Sequence, residues 1–138
     1  MANQELKLNM SPRAYVERDF FAAERNAIFW RTWQIIGSQS SLTKRGDYIA
    51  TDIAGAQIFV IRDASDNLRA FRNVCRHRGS PLFDCGAGNT KSIRCPYHNW
   101  IYGLDGRLER VPDFEDGDEL DLDQWNLHPV QVDTWGGL

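Results

Sequence analysis

Cys75-Arg76-His77-Arg78-Gly79 and Cys95-Pro96-Tyr97-His98 are the two stretches on which the reading of this chain turns. Each offers one soft thiolate and one imidazole, and seventeen residues separate His77 from Cys95. Two cysteines with two histidines can wrap a single zinc ion. They can also hold a [2Fe–2S] cluster, two thiolates on one iron and two imidazoles on the other. Zinc modules usually pair like with like, Cys-x2–4-Cys followed by His-x3–5-His. Here each loop mixes the donors, as Cys-x-His and Cys-x2-His. Two loops that each reach across a cluster, giving Cys to one iron and His to the other, satisfy a two-ended centre directly. Cys75, His77, Cys95 and His98 are therefore the candidate ligands of a cluster, with a structural zinc module as the remote alternative.

The longer runs around these ligands, Asn73-Val74-Cys75-Arg76-His77-Arg78-Gly79 and Cys95-Pro96-Tyr97-His98-Asn99-Trp100-Ile101-Tyr102-Gly103-Leu104-Asp105-Gly106-Arg107-Leu108, closely resemble the Rieske domain of aromatic-ring-hydroxylating oxygenase α subunits. Phe29-Trp30-Arg31-Thr32-Trp33 and Val132-Asp133-Thr134-Trp135-Gly136-Gly137 extend the resemblance over most of the chain. It departs at Asn99, where the family usually carries Gly. If that position needs a left-handed backbone, Asn is the least costly non-glycine choice.

The resemblance implies a mainly β fold, an antiparallel sandwich or barrel with a cluster-binding two-loop subdomain, preceded by short N-terminal α-helices. It divides the chain into a helical segment over 1–38 and a Rieske domain over 39–138. It further implies an N-terminal part of an α subunit, fed with electrons by a reductase or ferredoxin and packed against neighbouring α subunits in a trimer. The electrons would pass to a mononuclear non-haem Fe(II) on two histidines and a carboxylate, a well-defined triad, in a catalytic domain beyond Leu138. The parent would be an O2-dependent oxidoreductase, mono- or dioxygenase, hydroxylating an organic substrate such as an aromatic hydrocarbon, an aryl acid or a quaternary amine. Only His128 remains once His77 and His98 are assigned, so the triad cannot be built here and no catalytic residue is assigned. A free-standing Rieske ferredoxin is the alternative from another class. Against it stands the aromatic N-terminal region, which a small ferredoxin does not need.

Composition agrees with a single globular domain. The 138 residues are 42% apolar and 25% charged, and no apolar run approaches the length of a bilayer span. The first ten residues lack the continuous apolar core of a secretory signal, so the cytoplasm is the expected compartment and no membrane partner is expected. Three cysteines make a poor disulfide framework. Cys85, left over from the ligand set, reads as a small packed thiol. The loop disulfide of high-potential respiratory Rieske proteins thus has no counterpart, and Trp100 stands where they usually supply a serine hydroxyl. Fewer hydrogen bonds to sulfur place the expected potential at the low end of the Rieske range.

The net charge of −3 is unevenly spread. Residues 69–110 carry eight basic side chains against three acidic, and residues 111–138 carry eight acids without Lys or Arg. The basic excess is too small, and too interrupted by the metal loops, for nucleic-acid binding. Seven acids fall within Asp113–Asp123, which reads as a solvated loop.

Local patterns place the motifs. Ser11-Pro12 starts a helix, and Asp19 a second with Phe20, Ala23, Ala27 and Trp30 on one face, as core or subunit contact. Strands are expected at Tyr48–Ile53, with Ile49, Thr51 and Ile53 on one face, at Gln57–Arg62 and at Leu68–Val74, with turns at Ala54-Gly55 and Asp66-Asn67. Trp100–Leu108 reads as a hairpin turning type I′ at Asp105-Gly106. Val130–Val132 reads as a strand, with another beginning near Thr134. The ligands are thus expected at the tips of two hairpin-like loops. His128 is expected to be structural or exposed rather than a ligand.

Overall fold

A computed structural model of the chain describes residues 10–112 and 120–138. Most of the acidic run expected as a loop, residues 113–119, lies outside the described residues. The chain divides into two compact units, Met1–Gln34 and Ile35–Leu138.

In the first unit the Ser11 hydroxyl accepts the Arg13 amide and caps a 3-10 turn over Pro12–Tyr15, the local geometry that Ser-Pro favours. The helix α1 (Arg18–Glu24) follows, and it widens into a π turn over Arg25–Phe29. The expected stripe of Phe20, Ala23, Ala27 and Trp30 is exposed at all four positions rather than packed as core. The Arg25 guanidinium lies 4.9 Å from the Trp30 ring centre. Among the described residues no helix is long and apolar enough to cross a membrane.

Among the described residues the second unit is built from eight antiparallel strands. β1 (Asp47–Ile53), β2 (Ala56–Arg62), β3 (Leu68–Arg72), β4 (Gly86–Asn89) and β8 (Pro129–Val130) make a five-stranded sheet in the order β4-β1-β2-β3-β8. β5 (Ile93–Arg94), β6 (Ile101–Tyr102) and β7 (Leu108–Arg110) make a three-stranded one. Ala54 and Gly55 both take positive φ, 50° and 87°, as a two-residue type I′ turn requires, and register Ile53 opposite Ala56. The Asp105-Gly106 turn is not type I′, because only Gly106 has positive φ. Bonds from Gly106 N to Gly103 O and from Gly103 N to Arg107 O close a longer loop ending in a left-handed glycine. A Cβ at Gly106 would meet the Phe71 ring at 2.3 Å, so the turn lies tight on the core.

β2 is buried on both faces, as its apolar run predicts. Phe59 and Ile61 enter the larger core, which draws on both sheets through Phe71, Ile93, Tyr102, Leu104 and Leu108. Val60 turns to a smaller core with Leu42 and Ala70, joined by half-buried Ile49 and Val132. Each fully buried side chain of this size contributes about 1.5–3 kcal/mol. In β1 the buried position is Ala50 rather than the Ile49, Thr51, Ile53 face, which is only half-buried: the sheet is covered on both sides. The expected strand after Thr134 is absent from the described residues. Gly136 and Gly137 bend the chain instead, and Gly137 O accepts the Gln39 amide at 2.9 Å.

The two cysteine loops close alike. Cys75 N donates to Ser80 O at 2.8 Å and Gly79 N to Cys75 O at 3.0 Å. Cys95 N donates to Trp100 O at 2.9 Å and Asn99 N to Cys95 O at 3.1 Å. The fourth residue after each cysteine is left-handed, Gly79 at φ 74° and Asn99 at φ 56°. Only the second loop is a true hairpin tip, joining the paired strands β5 and β6. The first runs from β3 to β4, which lie at separate places in the sheet.

Asn99→Gly should therefore keep or slightly raise the melting temperature, while Asn99→Val should cost about 1–2 kcal/mol, read by thermal unfolding with iron content alongside. Equal stability of the two variants would contradict the left-handed assignment. Asp63, 3% exposed, accepts the Ser65 and Asn67 amides at 2.8 Å and Arg69 Nε at 3.0 Å. Burial works to raise its pKa, but the bonds from Asn67, Arg69 and Ser65 outweigh it and hold the carboxyl below its ordinary value. Its stabilising contribution is complete above the unfolded carboxyl pKa of about 4 and is lost as pH falls through the lower folded value. Asp63→Asn should cost about 1–3 kcal/mol at neutral pH and flatten the acid limb of a urea-midpoint profile. An unchanged limb would refute the assignment.

Candidate metal centre

Cys75 and Cys95 lie in the larger core at 2% exposure each, whereas His77 and His98 sit half-buried at its rim. The two loops bring like to like. The thiols are neighbours, and the imidazole rings stand 4.7 Å apart between centres. The four candidate ligands thus form two like pairs, and among the described residues no three of them gather round one point as a single-ion site requires.

Support comes from residues that the ligand spacing did not single out. The Tyr102 hydroxyl, fully buried on β6, accepts the Arg76 amide at 3.1 Å and lies 3.3 Å from Cys75 Sγ, to which it can donate its proton. Burial pushes the phenol pKa well above its ordinary value, so that proton is held. Buried Asn73 closes the base of the first loop: its Oδ1 accepts the Leu82 and Phe83 amides at 3.1 and 3.0 Å, and its Nδ2 donates to Phe83 O at 2.7 Å. Phe83 in turn stacks on Tyr48 at 4.1 Å and meets Phe59 edge-on at 4.9 Å. The loop is thereby fixed to the sheet. The signal for Asn73 was its place just before the first loop, whereas Tyr102 carried none in its local sequence.

Both imidazoles are clamped by aromatic rings. His77 lies parallel to buried Trp100, 4.8 Å away with 2° between planes, and Trp100 meets Trp125 edge-on at 5.5 Å. His98 stacks on exposed Tyr97 at 3.8 Å. His77 Nδ1 is buried without a hydrogen-bond partner. A buried ring nitrogen left unsatisfied beside a second imidazole is what a metal-binding set presents. The residues present fit a cluster with two donors per iron.

Electrostatics point the same way. Burial, with the neighbouring His98 and Arg78, lowers the His77 pKa and favours the neutral, metal-binding imidazole. Burial raises the Cys75 pKa and Cys95 adds to this, against the Tyr102 hydrogen bond and the His77 amide. A proton therefore stays on the buried thiol until a metal displaces it. Cys85 is exposed, not packed as expected, because the chain turns outward into β4, whose residues are all exposed. His128 is exposed overall, and partial desolvation of its ring, followed by Arg76 and Arg72, lowers its pKa.

The family model of the Rieske [2Fe-2S] domain matches residues 32–129. The chloroplastic choline monooxygenase of Beta vulgaris is 35% identical over 122 residues, 88% of this chain and 27% of that protein. The benzene 1,2-dioxygenase subunit alpha of Pseudomonas putida is 34% identical over 130 residues, 94% of this chain and 29% of that protein. The structure of a quaternary ammonium Rieske monooxygenase in complex with L-carnitine superposes with a TM-score of 0.82 at 34% identity, covering 91% of this chain and 36% of that one. The chain thus spans between a quarter and a third of the length of the curated relatives it matches. It belongs to the Rieske [2Fe-2S] domain family, and is homologous to the corresponding stretch of Rieske oxygenase α subunits.

Proposed function

We propose that Cys75 and Cys95 ligate one iron of the cluster and His77 and His98 the other, and that the chain carries electrons within a Rieske oxygenase. The observation that supports this most is the pairing of thiol with thiol and imidazole with imidazole, with His77 Nδ1 buried and unpartnered. When bound, the cluster supplies reversible one-electron transfer. Tyr102 and the loop amides offer donors to the sulfur side, where the reduced form holds more negative charge. Trp100 and Tyr97 hold the two imidazoles in place, and the larger core keeps water from the thiols.

In this reading residues 1–38 precede a Rieske domain over 39–138. A reductase or ferredoxin would deliver the electrons, and the cluster held by Cys75, His77, Cys95 and His98 would pass them toward a mononuclear iron that supplies the O2 chemistry of a cytoplasmic assembly of three α subunits. Similar identity to a choline monooxygenase and a benzene dioxygenase supports the oxygenase class common to both. It favours neither quaternary amines nor aromatic hydrocarbons as substrate.

Anaerobically purified protein should contain two irons and two acid-labile sulfides per chain. Alanine at Cys75, His77, Cys95 or His98 should remove them together with the visible spectrum, while Cys85→Ser keeps both. Zinc without labile sulfide, or a cluster that survives any of the four substitutions, sinks the reading. Tyr102→Phe should retain the cluster but lower its midpoint potential. One hydrogen bond to sulfur is worth about 1 kcal/mol, or about 40 mV for a one-electron couple. A potential unmoved in protein-film voltammetry would show that the hydroxyl does not act on the sulfur.

A further inference from the structure

The imidazole of His77 is gripped from two directions, and both grips lead to the same short segment. On one side its ring lies on Trp100, which meets Trp125 edge-on. On the other, its chain neighbour Arg76 donates from the guanidinium to Asn126 O at 2.9 Å. Trp125 and Asn126 are consecutive, so the contacts close into a ring. It runs from Asn126 to Arg76, along the chain to His77, across the rings of Trp100 and Trp125, and back along the chain to Asn126.

Trp125 ends a 3-10 turn over Leu122–Trp125, capped by Asp121 through the Asp123 amide at 3.2 Å. A single turn is shaped by its own bonds but is not placed by them. Asn126, directly after it, bonds two other elements. Its carbonyl takes Arg76 of the first metal loop, and its side-chain Oδ1 accepts the Leu108 amide of β7 at 2.9 Å. Leu108 is 5% exposed, so water does not readily replace that bond. Any residue here would offer the carbonyl, but only a short side chain with an acceptor oxygen adds the bond to β7. Buried Leu127 follows into the larger core, its amide donating to Gly106 O at 2.8 Å, and keeps the segment attached if the Asn126 side chain is lost.

We infer that Asn126 is a positioning residue of the metal centre, closing the ring of contacts that sets the plane of the His77 imidazole. The inference rests on the ligand assignment proposed above and adds a residue that belongs to neither metal loop. Groups outside the ligand set orient a metal-bound imidazole and tune what it does for the metal. His98 stands outside this ring of contacts, stacked on exposed Tyr97. Loss of the Asn126 side chain should therefore disturb one imidazole and spare the other.

The test is pulsed electron resonance on the reduced, cluster-loaded chain, in which each ligating imidazole nitrogen gives a hyperfine coupling that follows the orientation of its ring. Wild type should show two. Asn126→Ala should keep its iron and labile sulfide, shift one coupling and leave the other in place. Asn126→Asp retains an acceptor for Leu108 and should restore the wild-type coupling. Amide exchange at Leu108 should quicken about tenfold in Asn126→Ala, from the loss of one buried bond, and slow again in Asn126→Asp. If Asn126→Ala loses the cluster, Trp125→Phe, which leaves both Asn126 bonds in place, should shift one coupling alone. Couplings unmoved in Asn126→Ala, both moved together, or no restoration in Asn126→Asp would make Asn126 a support of the fold only. Each of these, like an unmoved coupling in Trp125→Phe, overturns the inference and leaves the proposed function standing. A wild-type chain without the iron–sulfur chromophore, or with a single nitrogen coupling, would sink the proposed function and the inference with it.

Discussion

The constraint that organises the second unit is the burial of two thiols side by side. A thiol in an apolar core resists ionisation, and a second one beside it raises the cost further. Cys75 and Cys95 nevertheless share the core with Phe59, Ile61, Phe71 and Tyr102. A pair of buried thiols, left as thiols, brings little that two alanines would not. With a metal the same burial becomes useful, because a low-dielectric surround strengthens each donor aimed at sulfur. The three-stranded sheet, the two matching loop closures and the amide clamp of Asn73 all hold this pair in place.

The sequence revealed the donors and much of the architecture, for physical reasons that can be traced to particular residues. Cys-x-His and Cys-x2-His are local patterns, and mixed donors within one loop argue for a two-ended group whatever the surrounding fold. Ala54-Gly55 and the apolar run of β2 are likewise decided by neighbours in sequence. Features set by contacts at long range were not legible. Nothing near Tyr102 says that its hydroxyl will reach Cys75, twenty-seven residues earlier. The exposure of Cys85 depends on where the edge strand β4 attaches. The Asp105-Gly106 turn misled because Asp-Gly suits two hairpin loops, and the position of Gly106 against Phe71 selects the longer one.

Asn99 shows how a departure from a family pattern is absorbed. The loop needs a left-handed residue four positions after each cysteine, and the first loop meets that need with Gly79. Asn tolerates the same region at a modest cost. The substitution leaves the closing bond to Cys95 in place, at a length close to that in the glycine loop. What the loop requires is a backbone conformation rather than a residue type.

The flat stack of His77 on Trp100 bears on speed rather than on stability. Electron transfer is slowed by whatever nuclear rearrangement must accompany the change of charge. An imidazole pressed against a buried indole, itself braced edge-on by Trp125, has little freedom to tilt or slide. The other imidazole is backed by a ring that faces solvent. The inner side of the pair is therefore stiff and the outer side compliant. Charge can arrive with few atoms displaced, while the outer ring retains room to adjust to whatever surface lies against it.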